Sequence, residues 1–273
     1  MSIRSISLLK PDTFSLTWLI KKINMITLRS TIFAVIFYFW SMLLSPLYLP
    51  LMFGSRQFFW RCCLSWCRSS IWVIRKVMGI EVEVRGRKNL PSNGPFIIAS
   101  KHQSAWDTLI YNIIVLDCAY VVKRELFWFP FFGWFLWRIG MIGINRKGGA
   151  STLKELVADC KARLAAGRSI VIFPQGTRTP PGTQNPYLPG VAALYVKCNV
   201  PVVPTALNSG MFWPRRTFRK YPGTVVIEFL PAIEPGLRRQ EFSALLEEAI
   251  EPATTRIEEE ARRVFGVGGQ ITD

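Results

Sequence analysis

The sequence predicts an α/β protein: a mixed, mainly parallel sheet flanked by helices, with an N-terminal two-helix membrane anchor. Three observations carry that expectation. Short apolar, β-branched runs alternate with helical stretches from residue 80 onward, the pattern of strands joined by crossover helices. Ser30–Ser55 contains no charged residue, a run long enough to cross a bilayer. Apolar residues make up 50% of the 273, with ten Trp and nineteen Phe, and the formal net charge is +16. Three parts follow: an N-terminal tail over 1–29, membrane-associated helical segments over 30–78, and a compact α/β domain over 79–273.

Residues 1–29 are weakly patterned, with scattered Lys and Arg and no small-residue cleavage site after an apolar core, so they do not read as a signal peptide. Pro46 and Pro50 end or kink the uncharged run. A second segment runs from Arg56 to Lys76, with Arg61, Arg68 and Arg75 seven residues apart among Phe58, Phe59, Trp60, Leu64, Trp66 and Trp72. On a helix this spacing places the arginines in one stripe, the pattern of a helix lying in a membrane interface. Positive charge is nearly equal on the two flanks of the first segment, so a hairpin returning to the same side fits as well as a single span.

Gly79 closes that segment. Val82 and Val84 alternate with charges as a half-buried strand, and Phe96–Ala99 reads as a buried one. Ser104–Val115 reads as a helix, Ala119–Val122 as a strand ending at Lys123, and Met141–Asn145 as a strand closed by Arg146. Ser151–Ala166 is the clearest helix. Ser169–Phe173 is a strand, Val191–Lys197 a short helix, and Pro201–Leu207 and Thr224–Leu230 are strands. Glu241 to about Phe265 is a closing helix. Ligand sites in such sheets lie at the carboxyl ends of strands, which is where His102, Lys123, Arg146 and Arg178 fall.

Charge narrows the partner class. Before Glu234 there are twenty-nine bases against nine acids, a net of +20, which suits an anionic bilayer or a phosphorylated substrate. The basic residues interleave with long apolar runs and no nucleic-acid motif appears, so nucleic acid is not expected. Six cysteines without metal-ligand spacing and one histidine predict reduced thiols and no metal site.

His102, the only histidine, follows the Phe96–Ala99 strand, and Asp107 lies five residues on. An imidazole held by a carboxylate can take a proton from an attacking hydroxyl. Later come Phe173-Pro174-Gln175-Gly176-Thr177-Arg178 and Val200-Pro201-Val202-Val203-Pro204. Together these motifs resemble the glycerolipid acyltransferases, over roughly residues 80–235. The resemblance implies that His102 is the general base and Asp107 its partner, and that residues 79–273 are the acyltransferase domain. It also implies that Lys123, Arg146 and the turn Gln175, Gly176, Thr177 and Arg178 bind the acceptor and its phosphate. The family usually has glutamate where Gln175 stands, and asparagine is commoner at Lys101. On sequence grounds Gln175→Glu preserves use of a phosphorylated acceptor.

The implied activity moves a fatty acyl group from an acyl-carrier-protein or coenzyme A thioester to the sn-2 hydroxyl of lysophosphatidate, giving phosphatidate. The implied place is the cytoplasmic face of a bacterial inner membrane. Two alternatives stay open: the same chemistry on another lyso-lipid such as lyso-ornithine lipid, and a non-catalytic protein that binds membrane and carrier protein. The Phe127–Ile144 stretch is the expected lining for the acyl chain.

Overall fold

The structure, a computed structural model, describes residues 13–145 and 148–266. Its seven strands are β1 (Ile80–Arg85), β2 (Ile97–Ser100), β3 (Ala119–Lys123), β4 (Ile142–Ile144), β5 (Ile170–Ile172), β6 (Val202–Leu207) and β7 (Gly223–Phe229). They form one sheet in the order β1-β7-β6-β2-β5-β3-β4. Every neighbouring pair is parallel except β6 and β7.

The helices are α1 (Thr13–Tyr48), α2 (Arg56–Val73), α3 (Asp107–Ile114), α4 (Phe132–Arg138), α5 (Gly149–Ala165), α6 (Pro189–Cys198) and α7 (Arg239–Phe265). They cover both faces of the sheet. Side chains alternate across a strand, and β2 shows the division. Ile97 and Ala99 join Leu156, Leu194, Phe242 and Ile250 from α5, α6 and α7. Ile98 joins Trp106, Leu109, Phe59 and Phe33 on the opposite face. All four residues of β2 are buried. That is why the strand reads as a continuous apolar run rather than an alternating one.

The N-terminal segments differ from the sequence reading in three ways. First, α1 begins at Thr13, so helix replaces most of the expected tail. Lys21 and Lys22 do not stop it, because a helix carries charge on an exposed side without losing backbone bonds. Second, α2 docks on the domain instead of standing apart. Phe59 and Leu64 are buried, and Arg56 grips both oxygens of Asp117 at 2.8 and 2.6 Å. Arg61, Arg68 and Arg75 are exposed. Third, Phe33, Ile74 and Met78 share one cluster with Ile98 and Val203, so residue 79 is not a packing boundary.

α1 and α2 lie together as a hairpin. Trp40 Nε1 donates to Ser69 Oγ at 3.3 Å and Trp66 Nε1 to Ser41 Oγ at 3.2 Å. Gly79, at φ +68°, supplies the left-handed turn that sends the chain from the helical segment into β1. Among the described residues one helix, Lys21–Tyr48, is long and apolar enough to cross a membrane.

Candidate active site

The site lies at the carboxyl ends of β2, β3 and β5. Parallel pairing of β2 with β5 brings two loops side by side, and Thr179 N donates to His102 O at 2.7 Å. His102 itself sits between β2 and α3, and Asp107 is the first residue of α3.

His102 Nδ1 is 2.8 Å from Asp107 Oδ2. The same oxygen accepts from Gln103 N at 2.8 Å and Ser104 N at 2.9 Å. Asp107 is fully buried, and three donors on one oxygen offset part of the cost of that burial and fix the carboxylate in place. A carboxylate only accepts, so in the neutral ring Nδ1 carries the proton and Nε2 the lone pair. The ring stacks on Phe173, with centroids 3.9 Å apart and planes tilted by 16°. Among the described residues Nε2 has no hydrogen-bond partner, and the side chain is 14% exposed. The arrangement is a fixed imidazole with one open edge.

Ser100 and Ser104 do local work. Ser100 Oγ donates to Lys101 O and meets Tyr111 OH at 2.5 Å, and Ser104 Oγ accepts from Trp106 N. Neither is bonded to His102.

The Gly176–Arg178 turn follows β5. Gly176 adopts φ +65°, a left-handed conformation that favours glycine, and its N–H donates to Phe173 O. Thr177 and Arg178 are half-buried. Arg178 has no carboxylate partner among the described residues. Partial burial, and then the charges of Arg215 and Arg216, hold its guanidinium below the usual arginine range. Arg215 Nη1 donates to Arg178 O at 3.0 Å, so the loop after β6 joins this basic corner. No motif singles out Arg215; its distance in sequence hides it.

Lys123 ends β3, 51% exposed and 3.9 Å from Glu125. Arg146 lies outside the described residues. Gln175 is the candidate that geometry moves. Its amide turns inward, 5% exposed, donating to Asn185 O at 3.5 Å and Glu251 Oε1 at 3.4 Å and accepting from Thr179 Oγ1 at 2.9 Å. Glu251 also pairs with buried Lys101 at 2.6 Å. The two unusual residues, Lys101 and Gln175, therefore meet on one carboxylate. A neutral amide at 175 spares it a second negative neighbour.

Behind Phe173 lies a mostly apolar cavity of about 350 Å³, bordered by Val121, Ile144, Leu153, Leu156 and Leu188. Of the Phe127–Ile144 stretch only Ile144 borders it. Trp128 and Trp137 are 82% and 69% exposed. Among the described residues no cluster of three His, Cys, Asp or Glu side chains could hold a metal ion.

Residues 81–208 match the Acyltransferase family model. The chain is 41% identical over 169 residues to a 1-acyl-sn-glycerol-3-phosphate acyltransferase of Pseudomonas aeruginosa, covering 62% of this chain and 65% of that one. It is 31% identical over 175 residues to the human 1-acyl-sn-glycerol-3-phosphate acyltransferase alpha, covering 63% and 62%. The chain thus spans a little under two thirds of the length of these relatives. Its fold matches the crystal structure of the 1-acyl-sn-glycerophosphate acyltransferase from Thermotoga maritima with TM-score 0.68, at 21% identity, over 86% of this chain and 97% of that one.

Proposed function

We propose that the protein, whose residues 81–208 match the Acyltransferase family model, moves a fatty acyl group from a thioester to the sn-2 hydroxyl of lysophosphatidate, giving phosphatidate. The observation that carries this is the His102–Asp107 bond at 2.8 Å, together with an Arg178 that has no carboxylate partner among the described residues. The acceptor hydroxyl attacks the thioester carbonyl as Nε2 removes its proton. Asp107 stabilises the imidazolium that forms. The tetrahedral intermediate then expels the thiolate, which takes the proton back from Nε2. The donor is an acyl-carrier-protein or coenzyme A thioester, and the reaction needs no further redox partner or cofactor.

The acceptor phosphate sits at the basic corner of Arg178, with Lys123 and Arg146 as further ligands. Gln175 gives no argument for a different head group, since its amide is buried against Glu251. A charge-assisted bond contributes about 1.5–3 kcal/mol. Arg178→Ala therefore raises the KM for lysophosphatidate roughly tenfold to a hundredfold, and affects lyso-acceptors without a phosphomonoester much less. Steady-state kinetics on both acceptors checks this; equal loss on both contradicts the phosphate assignment.

The α1–α2 hairpin is the proposed membrane attachment. α1 leaves Val35, Tyr38, Phe39 and Met42 63–79% exposed, an apolar face that water does not favour. Both ends of the exposed stretch are held by the same domain. Thr27 Oγ1 accepts from Arg219 and Ser30 Oγ from Lys220 N. At the other end Arg138 donates to Met52 O and Gly54 O. A single span parts its two ends by about 30 Å of hydrocarbon, whereas a hairpin in one leaflet leaves both beside the domain. With the native cysteines replaced, single cysteines at Lys21 and Lys161 are both protected from an impermeant reagent in intact cells. Labelling at position 21 alone shows a span instead.

A further inference from the structure

Two carboxylates of α7 reach under the loop that carries His102. Glu251 and Glu258 are seven residues apart, two helical turns, and so share one face. They are 6% and 2% exposed. The residues they hold flank His102 in sequence. Lys101 Nζ donates to Glu251 Oε2 at 2.6 Å, and Gln103 Nε2 donates to Glu258 Oε1 at 2.6 Å. The remaining oxygens go to the loop after Arg178. Tyr187 OH donates to Glu251 Oε1 at 2.8 Å and Gly182 N to Glu258 Oε2 at 2.8 Å. One helix face thus holds both loops of the site.

Gln103 makes the tightest link to the base. Its side-chain oxygen accepts from Gly210 N at 3.0 Å. Its own N–H donates to Asp107 Oδ2, the oxygen that also takes His102 Nδ1. A shift of Gln103 therefore displaces the carboxylate that sets the imidazole. Burial pushes the Glu258 carboxyl up, and the bonds from Gln103 and Gly182 oppose that rise. A buried carboxylate is retained only where its donors repay its desolvation.

We propose that Glu258, acting through Gln103, is a positioning residue for His102, with Glu251 and Lys101 fixing the other side of the same loop. This rests on the reading of His102 as the general base. Neither glutamate touches the reacting atoms; both act by keeping Nε2 aimed at the hydroxyl. Misplacement of a catalytic group by about 1 Å can cost 10²-fold.

The test uses the full chain in detergent micelles, without a histidine tag. Glu258→Ala is expected to lower kcat about tenfold to a hundredfold, with KM for acceptor and donor changed less than about twofold. Glu258→Gln keeps an acceptor for Gln103 and recovers most of kcat. Gln103→Met cuts the link while leaving Glu258 with Gly182, and repeats the kcat loss. Since His102 is the only histidine, ¹⁵N-histidine spectra read its ring without background. The low-field Nδ1 proton signal expected of the wild type weakens in Glu258→Ala and Gln103→Met. Lowered Tm with kcat per folded molecule and ring spectrum unchanged overturns the proposal, leaving Glu258 as a helix-docking contact. The ring spectrum needs no turnover, so a wild type inactive on lysophosphatidate contradicts the proposed reaction and leaves the positioning readout intact.

Discussion

His102→Ala is expected to lower acyl transfer by about 10²–10⁴-fold, the usual contribution of a positioned base. The loss belongs to chemistry, not folding. The side chain is 14% exposed, its Nδ1 bond ends on a carboxylate that keeps two backbone donors, and its other large contact is the stack on Phe173. Removing it leaves Gln103 N and Ser104 N still holding Asp107, so the loop keeps its shape. KM for lysophosphatidate is expected to change little, because the proposed reading puts the acceptor phosphate on Arg178, away from the base. Asp107→Asn separates the partner's role from the base's. An amide in that place can present its NH₂ to Nδ1 and favour the wrong tautomer, so turnover falls while the imidazole remains. Near-normal turnover by His102→Ala contradicts the mechanism.

Lys101→Met is expected to destabilise the fold by about 3–5 kcal/mol, the cost of leaving one partner of a buried ion pair alone. Lys101 is 1% exposed and Glu251 6%. The carboxylate would keep Tyr187 OH and Gln175 Nε2 as neutral donors but lose the one cation that pairs with it among the described residues. The double variant Lys101→Met with Glu251→Gln removes the orphaned charge and keeps an acceptor for Tyr187. It should recover at least about 2 kcal/mol of the single loss, since neutral replacement of a buried pair is often close to neutral in energy. Denaturant unfolding of the three proteins gives these differences. A single-variant cost under about 1 kcal/mol contradicts the buried pair. The same geometry reverses the sequence expectation for Gln175→Glu. A second carboxylate within 3.4 Å of Glu251 Oε1 repels it, so that variant loses stability and activity together.

What could be read in the sequence was local. The apolar run of β2, the helix of α7 and the turn at Gly176 each announce themselves through neighbours a few residues away. His102 and Asp107 were legible because five residues is the span from a strand end to the first turn of a helix. Long-range pairing was not legible. β1 pairs with β7 some 140 residues later, Ile80 opposite Gly223, and nothing in either strand names the other. The arginine stripe of α2 is exposed, as its spacing indicates. An amphipathic pattern says that an apolar face is covered, not whether lipid or protein covers it, and here Phe59 joins the cluster of Ile98 and Trp106 in the domain. Gln175 drew notice by standing beside Gly176-Thr177-Arg178. Its inward turn depends on Glu251, 76 residues away. Arg215 lies outside every motif and reaches the site only through the loop after β6.

The most direct measurement is the product formed by the purified full chain in mixed micelles with 1-oleoyl-lysophosphatidate and palmitoyl thioesters of acyl carrier protein and coenzyme A. Regiospecific analysis should find phosphatidate with palmitate at sn-2 from at least one donor, and none above background from His102→Ala. No phosphatidate from either donor, or the same yield from His102→Ala, would contradict the assignment of His102 as the base of a lysophosphatidate acyltransferase.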